Sequence, residues 1–193
     1  MQTFPNDIAP QNMEFPWGKV MAVNVSPLSS AVVYSLGHRN PQGLLVLDDG
    51  RILEAEHGPQ GGDELNFIES GANYGWPYRS FGTKYGSFRE YRDDIPIPNS
   101  STHFVDPLYA FIPSPAITNL IQLHGFLDKW EGDLLLGSLK AESIFRIRIS
   151  DTRVVFAEQI PVGFRVRELV QAGRSIFMLS DSGSILKMEP EAP

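Results

Sequence analysis

Hydrophobic and polar residues alternate in short runs along most of this chain, and turn-forming residues separate the runs. A period of two is typical of a β-strand with one buried face, and no segment carries a sustained 3.6-residue apolar period. The pattern therefore predicts an all-β protein. The predicted strands cover residues 18–26, 31–36, 44–47, 51–55, 66–69, 107–111, 116–123, 133–139, 143–149, 153–160, 166–171, 175–180 and 184–189.

The same pattern divides the chain into an irregular lead-in, residues 1–17, and one candidate β-domain, residues 18–193. Short strands at regular spacing suit a sandwich, a barrel or a propeller, and composition does not choose among them. A propeller blade takes roughly 40–50 residues, so a propeller would give this chain about three to four blades. Asp49-Gly50 between apolar runs predicts a hairpin turn. Residues 70–106, rich in turn residues and tyrosine, predict a long excursion on one face.

Composition restricts the possible partners of the protein more than it restricts the possible folds. The chain has 193 residues, 42% hydrophobic and 20% charged, which is ordinary for a globular domain. A net charge of −7 argues against nucleic acid or an anionic membrane as partner. The absence of cysteine excludes disulfides and thiolate chemistry. We expect no membrane span, and residues 1–16 show no signal peptide, so the signal of an exported protein would lie outside this chain.

One glycine-rich stretch carries candidate metal-binding chemistry. Residues 56–66, with the sequence EHGPQGGDELN, combine Gly58 and Pro59 with the adjacent acids Asp63 and Glu64. Glycine lets backbone carbonyls approach a ligand closely, and calcium takes roughly 6–8 oxygen ligands of mixed origin. The competing interpretation is a solvated turn with two surface acids, and composition alone leaves both open.

Several motifs carry a resemblance to a known family. They are SLGHRNPQGL at residues 35–44, the stretch 56–66, GANYGWP at residues 71–77, GSLK at residues 137–140 and RVR at residues 165–167. In order and spacing they resemble the soluble sugar dehydrogenases that depend on pyrroloquinoline quinone (PQQ). The closer match is the aldose sugar dehydrogenase branch of the glucose/sorbosone dehydrogenase family. The resemblance covers nearly all the chain from Gly18 onward and corresponds to the C-terminal half of a family member.

The resemblance implies a six-bladed β-propeller with PQQ lying over its top and held by calcium. It assigns cofactor contacts to Arg39, Asn40, His57, Lys140, Arg165 and Arg167. It assigns calcium-ligating carbonyls to Gly58 and Pro59, and a second calcium to the neighbourhood of Asp63, Glu64 and Tyr74. These residue types suit the chemistry, because arginine forms bidentate, permanently charged hydrogen bonds to carboxylates. Two arginines two positions apart on one strand also point to the same face.

The activity implied is PQQ- and calcium-dependent oxidation of an aldose sugar at C1 to the lactone, with electrons passed to an external acceptor. A periplasmic or secreted location follows from the same resemblance. The family's general base is a histidine before this first motif, and no histidine precedes Gly37 here, so the catalytic base stays unassigned. The chain is therefore either a dehydrogenase or a non-catalytic calcium- or ligand-binding propeller fragment. A calcium-dependent lactonase is a weaker alternative, against which the clustered arginines argue. Because an open propeller exposes unpaired edges, self-association to close the ring is also possible.

Overall fold

The structure, a computed structural model, describes residues 8–28, 30–90, 95 and 102–191. Those residues form β-strands and two short 3-10 turns, Ala9–Gln11 and Asp128–Trp130, so the all-β prediction is confirmed. The strands are β1 Lys19–Ala22, β2 Val32–Leu36, β3 Pro41–Val46, β4 Ile52–Glu56, β5 Asp63–Ile68, β6 Tyr109–Phe111, β7 Ile117–Gln122, β8 Leu134–Ser138, β9 Ser143–Ser150, β10 Arg153–Pro161, β11 Val166–Ala172, β12 Ser175–Ser180 and β13 Ile185–Met188.

The strands form four antiparallel sheets in which sequence neighbours pair. The sheets are β1-β2, β3-β4-β5-β6, β7-β8-β9-β10 and β11-β12-β13. Strand β7 packs against β3 on one side and β11 on the other, so the first strands of three sheets lie next to one another. Meandering sheets with adjacent first strands are what a propeller requires. Closure into six blades stays a prediction.

Two hydrophobic cores lie on opposite faces of the third sheet. Leu136 packs with Leu53 and Leu65 toward the second sheet, whereas Leu135 packs with Leu169 toward the fourth. Neighbouring residues on a strand point to opposite faces, so a strand buried on both sides is apolar throughout. Burial of one such leucine contributes about 1.5–3 kcal/mol. These cores fix the three sheets side by side.

The turn at residues 48–50 forms as predicted, with Gly50 at φ 86° and its N–H bonded to the Leu47 carbonyl at 2.9 Å.

Strand β5, however, begins at Asp63 and not at residue 66. Asp63 and Glu64 pair with Phe111 and Ala110 of β6, and Asp63 is fully buried. The interpretation of these acids as part of a solvated turn is therefore wrong.

The described part of the lead-in packs against the long excursion. The Gln11 side-chain amide donates to the Asn73 side chain at 3.0 Å and to the Trp76 carbonyl at 2.7 Å. The Gly37 N–H donates to the Pro10 carbonyl at 3.1 Å. Residues 91–94 and 96–101 of the excursion lie outside the described residues. Among the residues that the structure does describe, none belongs to a helix with the length and apolar character needed to cross a membrane.

Candidate functional site

The predicted cofactor residues lie at one edge of the sheets. This edge, here called the upper rim, consists of the loops 37–40, 57–62, 112–116, 139–142 and 162–165. In an antiparallel meander alternate loops meet at the same edge, and each of these loops precedes or follows a strand on that edge. The fold thus brings segments far apart in sequence to one place.

Arg39, Asn40 and His57 contact one another on the upper rim. The Arg39 guanidinium donates to the His57 carbonyl at 2.9 Å, and the Asn40 side chain lies 3.5 Å from His57 Nδ1. His57 Nε2 lies 2.6 Å from the carbonyl oxygen of Ile117, so Nε2 carries the proton and Nδ1 accepts from Asn40. His57 therefore orients Asn40 and ties the second sheet to the third.

Asp63 fixes the glycine-rich loop from below. Its Oδ1 accepts the Gly58 N–H at 3.1 Å and the Ser114 hydroxyl. Its Oδ2 accepts the Ile117 N–H at 3.0 Å. The carboxylate thus joins the loop 57–62 to the start of β7. Its predicted role as a calcium ligand stays a prediction.

The glycine-rich loop leaves two carbonyl groups available to a cation. A Cβ at Gly58 would lie 2.0 Å from the Gly62 carbonyl oxygen, so only glycine fits this path. Gly58 and Pro59 are buried, yet no donor among the described residues reaches either carbonyl oxygen. Buried carbonyls are normally hydrogen-bonded. The pair therefore fits a hard cation such as calcium.

Lys140 lies at the end of β8, where its N–H bonds the Pro115 carbonyl at 2.9 Å. Its side chain lines a cavity of about 360 Å³ together with Tyr109, Ser114 and Phe145. Within the described part of the chain its ammonium has no carboxylate partner. Lys140 therefore presents a positive charge to a cavity that both polar and apolar residues line.

Arg165 and Arg167 donate to the same carboxylate, although only Arg167 lies on β11 and Arg165 lies in the loop before it. Their Nε atoms lie 2.8 and 2.7 Å from the two oxygens of Asp181. The hydrogen bonds from Arg167 and then Arg165 hold the pKa of Asp181 below its usual range. Arg165 also reaches the Leu139 carbonyl at 3.5 Å, which links this pair to the loop of Lys140.

Arg39 adds a further positive charge to the rim. Its guanidinium lies 5.3 Å from the Trp76 ring and 6.0 Å from the Tyr85 ring, within the range of cation–π attraction. Among the described residues it forms no ion pair with a carboxylate. Arg39 and Lys140 thus make the rim locally positive on a chain of net charge −7.

A buried polar cluster lies below the rim and was not predicted. Glu54 and Glu56 on β4 face Asn66 and Glu64 on β5. Burial, and then the neighbouring Glu56 charge, raise the pKa of Glu54 well above its ordinary value. The same two causes raise the pKa of Glu64 to about 8. The available sequence signal was two acids at alternate positions, although the predicted strand 51–55 ends before Glu56.

Tyr74 and the histidines outside the rim have defined places. Tyr74 stacks on buried His38 with ring centroids 4.7 Å apart, and its hydroxyl bonds the Phe67 carbonyl. Its predicted contribution to a calcium site stays a prediction. His103 and His124 are both exposed.

Comparison with known proteins gives a match over most of the chain. The family model for Glucose / Sorbosone dehydrogenase matches residues 16–187. The aldose sugar dehydrogenase of Escherichia coli (strain K12) is 31% identical over 172 residues, which cover 83% of this chain and 44% of that protein.

Solved structures agree with this match. A crystal structure of glucose dehydrogenase has a TM-score of 0.79 at 28% identity, covering 98% of this chain and 59% of that one. The PQQ-bound form of aldose sugar dehydrogenase from Streptomyces coelicolor shares the fold, with a TM-score of 0.71 at 24% identity over 96% of this chain and 55% of that one. The chain thus spans about half the length of the proteins it matches.

Proposed function

Because this chain belongs to the glucose/sorbosone dehydrogenase family, we propose that it forms the cofactor-holding part of a PQQ- and calcium-dependent sugar dehydrogenase. The reaction is oxidation of an aldose at C1 to the lactone, with electrons passed to an external acceptor, in the periplasm or outside the cell. The observation that carries the proposal is the meeting of Arg39, His57 and the Gly58 loop on one rim.

The rim suits an anionic quinone. PQQ carries three carboxylates, and Arg39 and Lys140 supply positive charges without a carboxylate partner in the described residues. Arg165 and Arg167 present guanidinium groups whose Nε atoms are held by Asp181, which restricts their orientation before a ligand binds. Restricting these side chains in advance lowers the entropy lost on binding.

The carbonyl groups of Gly58 and Pro59 would hold the calcium ion at the cofactor, and Asp63, Glu64 and Tyr74 would contribute to a second one. When bound, calcium and PQQ supply a Lewis acid and a two-electron acceptor for sugar oxidation. His57 donates its Nε2 proton to the Ile117 carbonyl, so it orients Asn40 and we assign it no role as a base. The support is the pair of carbonyls without a donor beside an anchored loop.

Reduction of an artificial electron acceptor tests this function. We expect aldose-dependent reduction that requires both added PQQ and calcium, and at least a tenfold lower rate for Lys140→Ala. The matched control is Lys129→Ala, because Lys129 is exposed on the opposite edge. Turnover without PQQ would contradict the proposal. Saturable PQQ binding without any turnover would favour a non-catalytic ligand-binding protein.

A further inference from the structure

The buried polar cluster below the rim has the composition of a metal site. His38 follows β2, Glu54 and Glu56 lie on β4, and Asn66 lies on β5. All four are buried, and ligand atoms of His38, Glu54 and Glu56 lie within 4.8 Å of one another. No Lys or Arg among the described residues forms an ion pair with Glu54 or Glu56.

The polar atoms of this cluster are only partly satisfied by one another, because Asn66 Nδ2 donates to Glu54 Oε2 at 3.0 Å and to Glu56 Oε1 at 3.3 Å. His38 Nδ1 lies 3.6 Å from Glu56 Oε1 and 3.9 Å from Glu54 Oε2, which exceeds a hydrogen-bond distance. His38 Nδ1, Glu54 Oε1 and Asn66 Oδ1 are buried and have no hydrogen-bond partner in the described part of the chain. Unpaired buried polar atoms are costly, so the presence of three of them in one cluster calls for a ligand.

The imidazole ring is held in an orientation that suits coordination. His38 Nε2 lies 2.8 Å from the Ser35 hydroxyl, and Tyr74 stacks on the ring. With the Nε2 proton donated to Ser35, Nδ1 carries a lone pair that faces two carboxylates. Metal-bound histidines commonly donate their other ring N–H in this way. A cation bound between these groups would be coordinated by the Nδ1 lone pair and by both carboxylates, which otherwise repel one another.

We propose that a divalent first-row transition metal ion, of the zinc type, binds His38 Nδ1, Glu54, Glu56 and Asn66, whose amide would turn so that Oδ1 takes the place that Nδ2 now holds beside the two carboxylates. A tetrahedral site with bonds of about 2.0–2.1 Å separates its ligands by about 3.4 Å, which is close to the observed 3.6 and 3.9 Å. The imidazole nitrogen favours such an ion over calcium, which prefers oxygen ligands. This site is separate from the Gly58 loop and does not depend on PQQ.

The ion would stabilise the rim from below. Glu56 Oε2 accepts the backbone N–H groups of Arg39 and Asn40 at 2.6 and 3.1 Å. Coordination of Glu56 through its other oxygen would therefore fix the backbone that presents these two side chains. The proposed ion acts as a positioning element and not as part of the reacting centre.

Cobalt(II) titration tests the site, because four-coordinate Co²⁺ absorbs visible light strongly. The chain is unfolded in urea, freed of metal with chelator and refolded with Co²⁺ alone, which removes any barrier to entry. We expect one Co²⁺ per chain, a visible band that Zn²⁺ abolishes, and at least a tenfold weaker affinity in Glu54→Gln and His38→Gln. The control Glu158→Gln, on the exposed side of β10, should bind as the parent chain does.

Absence of stoichiometric Co²⁺ from the parent chain would overturn the proposal. So would a band of equal intensity in Glu54→Gln, whose near-identical shape preserves folding and can be verified by circular dichroism. Because no PQQ or calcium is present, failure here leaves the proposed dehydrogenase function untouched. A failure of PQQ to bind would likewise not contradict the proposed metal site.

Discussion

A single buried carboxylate, that of Asp63, connects three segments of the upper rim. It accepts hydrogen bonds from the Gly58 N–H, the Ser114 hydroxyl and the Ile117 N–H. Hydrogen bonds to a charged acceptor are worth about 1.5–3 kcal/mol each, whereas a neutral amide would leave one donor facing another. The charge of Asp63 therefore contributes both to stability and to the shape of the loop.

We expect Asp63→Asn to lower the free energy of unfolding by about 2–3 kcal/mol, because the amide cannot accept all three hydrogen bonds. Urea denaturation followed by circular dichroism measures this change. The control Asp151→Asn makes the same exchange at an exposed turn and should stay within about 0.5 kcal/mol. Equal effects of the two substitutions would contradict the role assigned to Asp63.

The Glu64 carboxyl group makes stability depend on pH. Burial, followed by the nearby Glu56 charge, raises its pKa from 4.5 to about 8. Between these values the folded chain holds a proton that the unfolded chain has lost, so the free energy of unfolding falls as pH rises. The stabilising contribution of the protonated Glu64 carboxyl group to the free energy of unfolding is complete below pH 4.5 and is lost as pH rises through about 8.

In calcium-free buffer, we therefore expect stability to decrease from pH 5 to pH 8 and Glu64→Gln to flatten that decrease. Urea melts at several pH values provide the measurement, with Glu158→Gln as the exposed control. Added calcium should weaken the pH dependence of the parent chain if Glu64 binds the ion, because a ligand carboxylate must be deprotonated. An unchanged slope in Glu64→Gln would contradict the account.

At the scale of elements, strand β8 joins the two cores. Leu135 and Leu136 are both fully buried but face opposite neighbouring sheets. We expect each leucine-to-alanine change to cost about 2–5 kcal/mol, since it leaves a cavity in a different core. The control Val155→Ala on β10, which is 50% exposed, should cost far less. A large loss for only one of the two leucines in urea melts would count against two equivalent cores.

The strands could be predicted because alternation and turn residues are local signals. The span of β12 agrees residue for residue, and β4 differs by one residue at each end. The cluster of His38, Glu54 and Glu56 could not be predicted, because alternation places both acids on the polar face of β4. That face is covered by Tyr74 and the segment after β2, and a contact of this kind depends on tertiary packing.

At the scale of the whole molecule, the distribution of charge over the surface affects the proposed binding of an anionic cofactor more than the net charge does. The chain carries −7, yet the upper rim presents Arg39 and Lys140 without carboxylate partners in the described residues. The aligned sheets bring these side chains to one edge although they are a hundred residues apart. The resemblance found in the sequence named both residues, but only the packing of three sheets explains how they reach one site.

The most direct test of the central claim is a titration of the purified chain with PQQ, with and without calcium, followed by the quinone absorbance. We predict saturable binding that requires calcium and is weakened at least tenfold by Arg39→Ala, with Arg174→Ala in the exposed β11–β12 turn as control. No saturable binding, or binding equal in both variants and indifferent to calcium, would contradict the cofactor site proposed for this rim.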